Sequence, residues 1–123
     1  MINLDWSGYK KITAESTGDF PIFAGVYKLA TYDPNTEKYN TPFYVGQADN
    51  IKSRTQQHAS SSEKNSCIKG KFDKYNVYVN YAAVSRQEDR NAAEVALYNH
   101  YKSACNDPDA LPDVEPADVS SFN

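Results

Sequence analysis

The amino-acid sequence predicts an α/β (α+β) sandwich in which a small three-stranded, mainly antiparallel sheet is flanked by helices. Two segments, residues 22–30 and 41–46, have a strand-like composition, and residues 75–84 place apolar and polar side chains on opposite faces. Helix-start signals follow the second and the third of these segments, so the predicted order is strand, strand, helix, strand, helix. The chain of 123 residues has room for one compact domain.

The first two strands should pair as an antiparallel hairpin. Residues 1–20 are polar with a few apolar anchors, and we expect them to be a lead-in segment that packs on the domain edge. Pro21 then opens the apolar run at residues 22–30. The turn-forming sequence at residues 33–36 separates this run from a second short strand at residues 41–46.

A helix is predicted directly after the hairpin. Asp49 is suited to cap this helix, which should run from Asn50 to about Ala59. Helical spacing places four of its side chains on one face, namely Ile51, Arg54, Thr55 and His58. A second, shorter helix is predicted from Cys67 to Phe72.

The longest helix should follow the third strand. Ser85 and Glu88 have the spacing of a capping box, in which each side chain binds the other residue's backbone amide. This helix should extend to about residue 104 and bury a stripe made of Ala93, Leu97, Tyr101 and Ala104. Glu94 lies at the border of that stripe.

Charge is distributed unevenly along the chain. The net charge is −3, yet residues 107–123 contain five acids, three prolines and no Lys or Arg. The other 11 acids are outnumbered by 13 Lys and Arg residues, so residues 1–106 are mildly basic. This balance is compatible with a nucleic-acid partner. Residues 107–123 are predicted to be a flexible or loosely docked acidic tail after the folded part, residues 21–106.

The spacing of the two cysteines matches no metal-binding or redox motif. Cys67 and Cys105 are far apart and lack the paired spacing of a zinc site. The N-terminus has neither the basic nor the apolar region of an export signal, and no segment approaches the length of a membrane span. We therefore expect reduced thiols rather than a disulfide, in a cytoplasmic protein that does not contact membranes.

Five short blocks resemble the GIY-YIG nuclease superfamily in their order and spacing. They are the tripeptides Gly25-Val26-Tyr27 and Tyr44-Val45-Gly46, then Arg54 with His58, then Glu94, and last Asn106. Arg54 follows the second tyrosine by ten residues, and Asn106 follows Glu94 by twelve. Either tripeptide alone is weak evidence, so the resemblance depends on the whole series, which spans about residues 21–106.

The resemblance implies a metal-dependent endonuclease that hydrolyses DNA phosphodiester bonds with Mg²⁺ or Mn²⁺. Arg54 would stabilise the phosphate through its fork of donors, and Glu94 would hold the metal with water and phosphate. Tyr27 would be the general base, provided that nearby cations lower its pKa from the ordinary value of ~10. The alternative base is a water assisted by the metal or by His58. Tyr44 would orient water or phosphate, and His58 would share the proton transfer or bind phosphate.

Three more residues are expected to contact substrate, namely Gly46, Lys52 and Asn106. DNA is the expected partner, while RNA, a protein partner and a homodimer stay open. Two other functions remain: a non-catalytic nucleic-acid-binding module, and a nuclease subunit that needs a partner for activity. The presence of every expected catalytic residue type counts against the first, and the small size and weakly basic body of the chain keep the second open.

Overall fold

The fold is built on one antiparallel sheet with helices on both faces. The computed structural model describes residues 1–16 and 18–123 and confirms an α+β domain. Its elements, in chain order, are β1 (Lys10–Ile12), β2 (Gly25–Asp33), β3 (Lys38–Tyr39), β4 (Tyr44–Ala48), α1 (Ile51–Ala59), α2 (Ser66–Lys74), β5 (Val77–Ala83), α3 (Gln87–Tyr101) and a short 3₁₀ turn (Pro108–Ala110). Among these described helices, none combines the length and apolar character needed to cross a bilayer.

Among the described residues the sheet has five strands, so the prediction of three was wrong. Strand β2 is central: it pairs with β5 on one side and with β4 and β3 on the other. Strand β1 pairs with the other edge of β5. All four pairings are antiparallel, as predicted. The two extra strands were missed because β1 and β3 contain only three and two residues. Such short segments cannot display the alternation by which a strand is recognised.

The predicted hairpin is formed by β2 and β4. Tyr27 lies opposite Gly46 in this ladder, and Leu29 lies opposite Tyr44. The long connection between them contains β3, which folds back onto the end of β2. The two tripeptides singled out in the sequence are therefore neighbours in the sheet, and β4 is its edge on the side of the candidate site.

Two apolar clusters lie on opposite faces of the sheet because side chains alternate along each strand. Tyr27 and Leu29 pack with Ile51 of α1 and Ile68 of α2 on one face. On the other face, a second cluster joins Val26 and Val45 to helix α3 and the N-terminal segment through Leu4, Ala93 and Leu97. Adjacent residues of β2 therefore face different layers.

The helix caps differ from those predicted. Asn50 caps α1, since its side chain accepts a hydrogen bond from the backbone N–H of Ser53 at 3.0 Å. Asp49, the predicted cap, instead accepts a hydrogen bond from Arg90 at 2.9 Å. The Asp49 carboxylate is therefore bonded to a residue of α3 instead of to the N-terminus of α1, and the adjacent Asn50 caps that helix.

The capping box predicted at the start of α3 is not formed. Arg86 is the N-cap residue, without a side-chain capping bond, and Glu88 forms an exposed ion pair with it. At the other end, α3 stops at Tyr101 because Lys102 adopts a left-handed conformation with φ of 49°. Ala104 therefore lies beyond the helix, and the buried stripe is shorter than predicted.

Both terminal segments pack against the domain, so of the two states expected for the acidic tail the structure describes the docked one. Ile2 and Val119 form a parallel bridge, and the backbone N–H of Ala117 donates to the carbonyl of Ala92 at 3.1 Å. The carbonyl of Phe122 accepts hydrogen bonds from both Lys28 and Tyr101. Apolar side chains among the acids thus anchor the tail, while the division at residues 20 and 106 stays a prediction.

Cys67 and Cys105 form a disulfide, so the prediction of reduced thiols was wrong. Their Cα atoms are 5.3 Å apart although 38 positions separate them in sequence. The bond ties the first turn of α2 to the segment after α3, and this proximity arises only from tertiary packing. The cytoplasmic location stays a prediction, but reduced cysteines no longer support it.

The disulfide should contribute strongly to stability, since it closes a loop of 38 positions in the unfolded chain. We expect the double variant Cys67→Ser/Cys105→Ser to lose about 4 kcal/mol of unfolding free energy in urea titrations, because its unfolded state gains entropy. Reductant should lower the urea midpoint of the unmodified protein and leave that of the double variant unchanged. Equal midpoints for both proteins without reductant would contradict this expectation.

Candidate active site

The structure brings the five predicted catalytic side chains together beside edge strand β4. Their sources are β2 (Tyr27), β4 (Tyr44), α1 (Arg54 and His58) and α3 (Glu94). The ring centroids of the two tyrosines are 6.2 Å apart, and the His58 ring lies 5.6 Å from the first and 5.3 Å from the second. The helical spacing of Arg54 and His58 was therefore informative, because it places both side chains on the face of α1 that is directed towards the hairpin.

Gly46 creates the space into which the Tyr27 phenol extends. A Cβ atom built on Gly46 would lie 2.7 Å from the Tyr27 hydroxyl and 2.9 Å from the Tyr44 ring. Both distances are shorter than ordinary carbon contacts, so only glycine fits here without displacing a ring. The predicted role of Gly46 in substrate binding stays a prediction, whereas its packing role is direct.

A chain of two hydrogen bonds runs through the buried side of the site. The Tyr27 hydroxyl lies 2.6 Å from Nε2 of His58, and Nδ1 of His58 lies 2.5 Å from Oε2 of Glu63. All three residues are buried, with His58 only 1% exposed. Glu63 was missed in the sequence because it lies in the polar break between α1 and α2, where no periodicity marks it.

Burial and charge set the protonation states of the His58 and Glu63 pair. Burial, reinforced by the Arg54 guanidinium, lowers the pKa of His58 to about 4 despite the opposing carboxylate of Glu63. Burial alone would raise the pKa of Glu63, but hydrogen bonds from the Asn65 backbone and from His58 hold it below its usual value. We therefore assign a neutral imidazole and an ionised carboxylate near pH 7.

The condition set for Tyr27 as a general base, a pKa lowered by nearby cations, is not met by the protein groups around it. Burial raises the pKa of this phenol well above 10, Tyr44 adds to the increase, and Arg54 opposes it. Tyr44 is half-buried, and burial likewise raises its pKa against the influence of Arg54. Both phenols therefore hold their protons at neutral pH, so a base role for Tyr27 requires a group that accepts its proton.

Arg54 is half-buried and lies at the centre of this electrostatic network. Its guanidinium donates one hydrogen bond, at 2.8 Å, to the side-chain oxygen of Gln57 on the next turn of α1. Its charge acts on the pKa of both site tyrosines, of His58 and of Glu94. A cation so placed would attract a phosphate group to this edge of the sheet.

Glu94 is half-buried and fixed by a neighbour from β4. Gln47 donates a hydrogen bond to Glu94 Oε1 at 2.8 Å and another to Asn91 at 2.7 Å, and Gln87 donates to Gln47 at 2.6 Å. Burial raises the pKa of Glu94, whereas Gln47 and Arg54 oppose that change. Gln47 directly follows the second tripeptide, which was its only signal in the sequence.

The surroundings of Glu94 fit a hydrated divalent cation. Glu94 and Tyr44 line a cavity of about 140 Å³, which has room for several waters. Within the described ranges, no group of three or more His, Cys, Asp or Glu side chains could enclose a metal. A single carboxylate supplemented by water and phosphate is how Mg²⁺ often binds.

Asn106 lines the same cavity as Tyr44 and Glu94, whereas Lys52 is not among the residues that line it. The Asn106 amide donates to the Val45 carbonyl and accepts from the Val45 N–H, both at 2.9 Å, so it substitutes for a neighbouring strand at the edge of β4. These two hydrogen bonds indicate that Asn106 braces the site, and its role in substrate binding stays a prediction. Lys52 lies half-buried on α1, where its backbone N–H donates to Pro21.

Comparison with solved structures identifies the architecture. Two crystal structures of the GIY-YIG N-terminal endonuclease domain of UvrC from Thermotoga maritima match the chain, each with a TM-score of 0.51. They are 18% and 17% identical in sequence, and each match covers 71% of this chain and 86% of the other. Both are tyrosine-to-phenylalanine point mutants bound to the catalytic divalent cation of that domain.

Sequence comparison alone does not reach this result. Neither a protein-family model nor a curated protein matches the chain. At 17–18% identity the structural match informs on the fold and leaves activity to be argued from the site. The sheet order, the paired tripeptides and the two structural matches agree, and the chain therefore has the GIY-YIG nuclease fold.

Proposed function

We propose that this protein is a metal-dependent endonuclease that hydrolyses DNA phosphodiester bonds. The observation that carries the proposal is the convergence of two phenols, a guanidinium, a neutral imidazole and a carboxylate beside one edge strand. Hydrolysis needs an activated water, stabilisation of charge on the phosphate and help for the leaving oxygen. The side chains around β4 include a candidate for each of the first two requirements.

Arg54 is the proposed phosphate ligand. Its guanidinium is half-buried, so its charge is less screened than that of an exposed arginine. It presents several N–H donors in one plane and can bind two oxygens of a phosphate at once. We expect it to bind the scissile phosphate and to stabilise the added negative charge of the transition state.

Glu94 is the proposed metal ligand. Gln47 donates a hydrogen bond to Oε1, Oε2 has no hydrogen-bond partner among the described residues, and Glu94 lines the cavity that Tyr44 also lines. A bound divalent cation would supply Lewis-acid stabilisation of the phosphate and a more acidic water. The catalytic divalent cation in both similar structures supports this assignment, and Mg²⁺ or Mn²⁺ is the proposed ion.

Tyr27 is the proposed general base and acts together with His58. Because its phenol is protonated, Tyr27 must release its own proton as it takes one from water. His58 Nε2, 2.6 Å away, is positioned to receive it. In this step the water proton moves to the Tyr27 oxygen, the Tyr27 proton moves to Nε2, and the hydroxide attacks phosphorus. The P–O bond to the leaving oxygen breaks, that oxygen keeps the bonding electrons and takes a proton from solvent water, and His58 returns its proton to solvent at the end of the cycle.

Cleavage of supercoiled DNA tests the proposal directly. With Mg²⁺, the full chain should convert plasmid to nicked or linear product, and EDTA should abolish this activity. Tyr27→Phe, Arg54→Ala and Glu94→Gln should each lower the rate by about 10²-fold or more, since single catalytic groups typically contribute that much.

Matched substitutions outside the site provide the controls. Tyr75→Phe, Arg86→Ala and Glu115→Gln alter the same residue types at exposed positions and should leave the rate within about 3-fold. Nicking that survives all three site substitutions would refute the endonuclease assignment. DNA binding in EDTA without cleavage in any metal would favour a binding module, and cleavage only with an added cell extract would favour a partner-dependent subunit.

Gly46 should tolerate no side chain. In Gly46→Ala the new Cβ would press on the Tyr27 and Tyr44 rings, so we expect a loss of about 1–3 kcal/mol in unfolding free energy and a large loss of cleavage. Gly70→Ala is the matched control, because a Cβ there meets nothing within 4 Å and Ala favours helix α2 by roughly 0.5–1 kcal/mol. Equal behaviour of the two variants would contradict the packing role of Gly46.

The neutral state of His58 can be tested through stability. Its pKa is about 4 in the folded protein against ~6.5 in an unfolded chain, so the unfolded state binds more protons between these values. The unfolding free energy should therefore fall as pH decreases from about 6.5 to 5, by on the order of 1–3 kcal/mol. Urea titrations should show a smaller fall over this window in His58→Gln; an identical fall would indicate that another group is responsible.

A further inference from the structure

Glu63 lies behind the site, outside the residues that the motifs identify, yet both of its carboxylate oxygens are used. Oε2 lies 2.5 Å from Nδ1 of His58, and Oε1 accepts a hydrogen bond from the backbone N–H of Asn65 at 2.9 Å. Glu63 is only 8% exposed although it comes from a polar loop. Burying a carboxylate is costly unless it is hydrogen-bonded, so this placement requires the two partners.

We propose that Glu63 is a positioning residue that holds His58 in the tautomer able to accept a proton from Tyr27. The catalytic part of this inference rests on the proposed endonuclease function, whereas the tautomer itself does not. Glu63 does not touch the reacting atoms, and it would act entirely through the imidazole.

The tautomer follows from the donors and acceptors along the chain. A neutral imidazole carries one N–H, and an ionised carboxylate can only accept. At 2.5 Å from Glu63, Nδ1 of His58 must therefore carry the hydrogen. Nε2 is left with a lone pair, which accepts the hydroxyl hydrogen of Tyr27. The opposite tautomer would place two acceptors face to face at Glu63.

The same contact would assist the proton transfer. When Nε2 receives the proton of Tyr27, His58 becomes a buried imidazolium with Nδ1–H already bonded to a carboxylate. The ion pair with Glu63 offsets the cost of burying this positive charge, and the neighbouring Arg54 increases that cost. A carboxylate serves the histidine of Ser-His-Asp hydrolases in the same way, by fixing its tautomer and stabilising its charged form.

A glutamine in place of Glu63 could not satisfy both neighbours. If its oxygen accepted the Asn65 N–H, its NH₂ group would face Nδ1 and move the imidazole hydrogen to Nε2. If its oxygen instead faced Nδ1, the NH₂ group would oppose the Asn65 N–H. Since glutamine has almost the shape of glutamate, Glu63→Gln changes the hydrogen bonding with little change in volume.

Steady-state kinetics on a DNA substrate with Mg²⁺ measure the catalytic effect. Glu63→Gln should lower kcat by roughly 10²–10⁴-fold, the usual contribution of acid–base catalysis, and leave KM within about 3-fold. In a Tyr27→Phe background the same change should cost less than about 3-fold, because Glu63 would act through a group no longer in use. Glu115→Gln, an exposed charge-matched control, should leave kcat unchanged.

Nitrogen-15 NMR of the imidazole measures the tautomer independently of activity. The wild-type protein at pH 7 should show His58 protonated at Nδ1, and Glu63→Gln should move the proton to Nε2. Glu63→Asp keeps a carboxylate and should retain the Nδ1–H tautomer and recover part of kcat. If Glu63→Gln fails to fold, the wild-type spectrum and Glu63→Asp still decide the question.

The outcomes separate this inference from the proposed function. An active wild-type protein with unchanged kcat and tautomer in Glu63→Gln would overturn the role of Glu63 and leave the endonuclease intact. A wild-type His58 protonated at Nε2 would also overturn it. An inactive wild-type protein that shows the expected tautomer and its loss in Glu63→Gln would support the positioning role while the endonuclease proposal fails.

Discussion

The buried hydroxyl of Tyr27 reaches His58 because Gly46, directly opposite it in the β2–β4 ladder, has no side chain. The antiparallel register makes this possible, since it aligns the last residue of the first tripeptide with the last of the second. A shift of one position would turn Tyr27 towards the other face of the sheet. The contact also joins the central strand to α1 and links the core to the candidate chemistry.

Burying polar groups behind this contact costs free energy, and the fold offsets that cost by hydrogen-bonding each group to the next. Tyr27 meets His58, His58 meets Glu63, and Glu63 meets the backbone of Asn65. The asparagine in turn caps α2 and donates to the Cys105 carbonyl at 3.0 Å. One continuous network therefore runs from the central strand, through the loop after α1, to the segment that carries Cys105 and Asn106.

The edge strand β4 depends on that segment. Asn106 supplies the hydrogen bonds that a further strand would otherwise make to Val45, and the Cys105 N–H donates to the Phe43 carbonyl at 2.8 Å. The disulfide fixes the same segment to the start of α2. Bonding by an amide side chain satisfies the exposed edge without covering Tyr44 or Glu94 with another strand, and so leaves the cavity open.

Local pattern in the sequence determined the α+β class, the hairpin, the two site residues on α1 and the border position of Glu94, because strand alternation and helix periodicity fix which side chains share a face. The structure alone decided the partner of His58, the cysteine pairing, the engagement of Asn106 and the docking of the acidic tail. Each of these joins aperiodic segments or positions far apart, as Asn106 and Val45 are by 61 residues. Such proximity leaves no local signal, because it arises only when packing brings distant parts of the chain together. The raised pKa of Tyr27 also depends on the tertiary structure, because burial outweighs the effect of the neighbouring cation only in the folded protein.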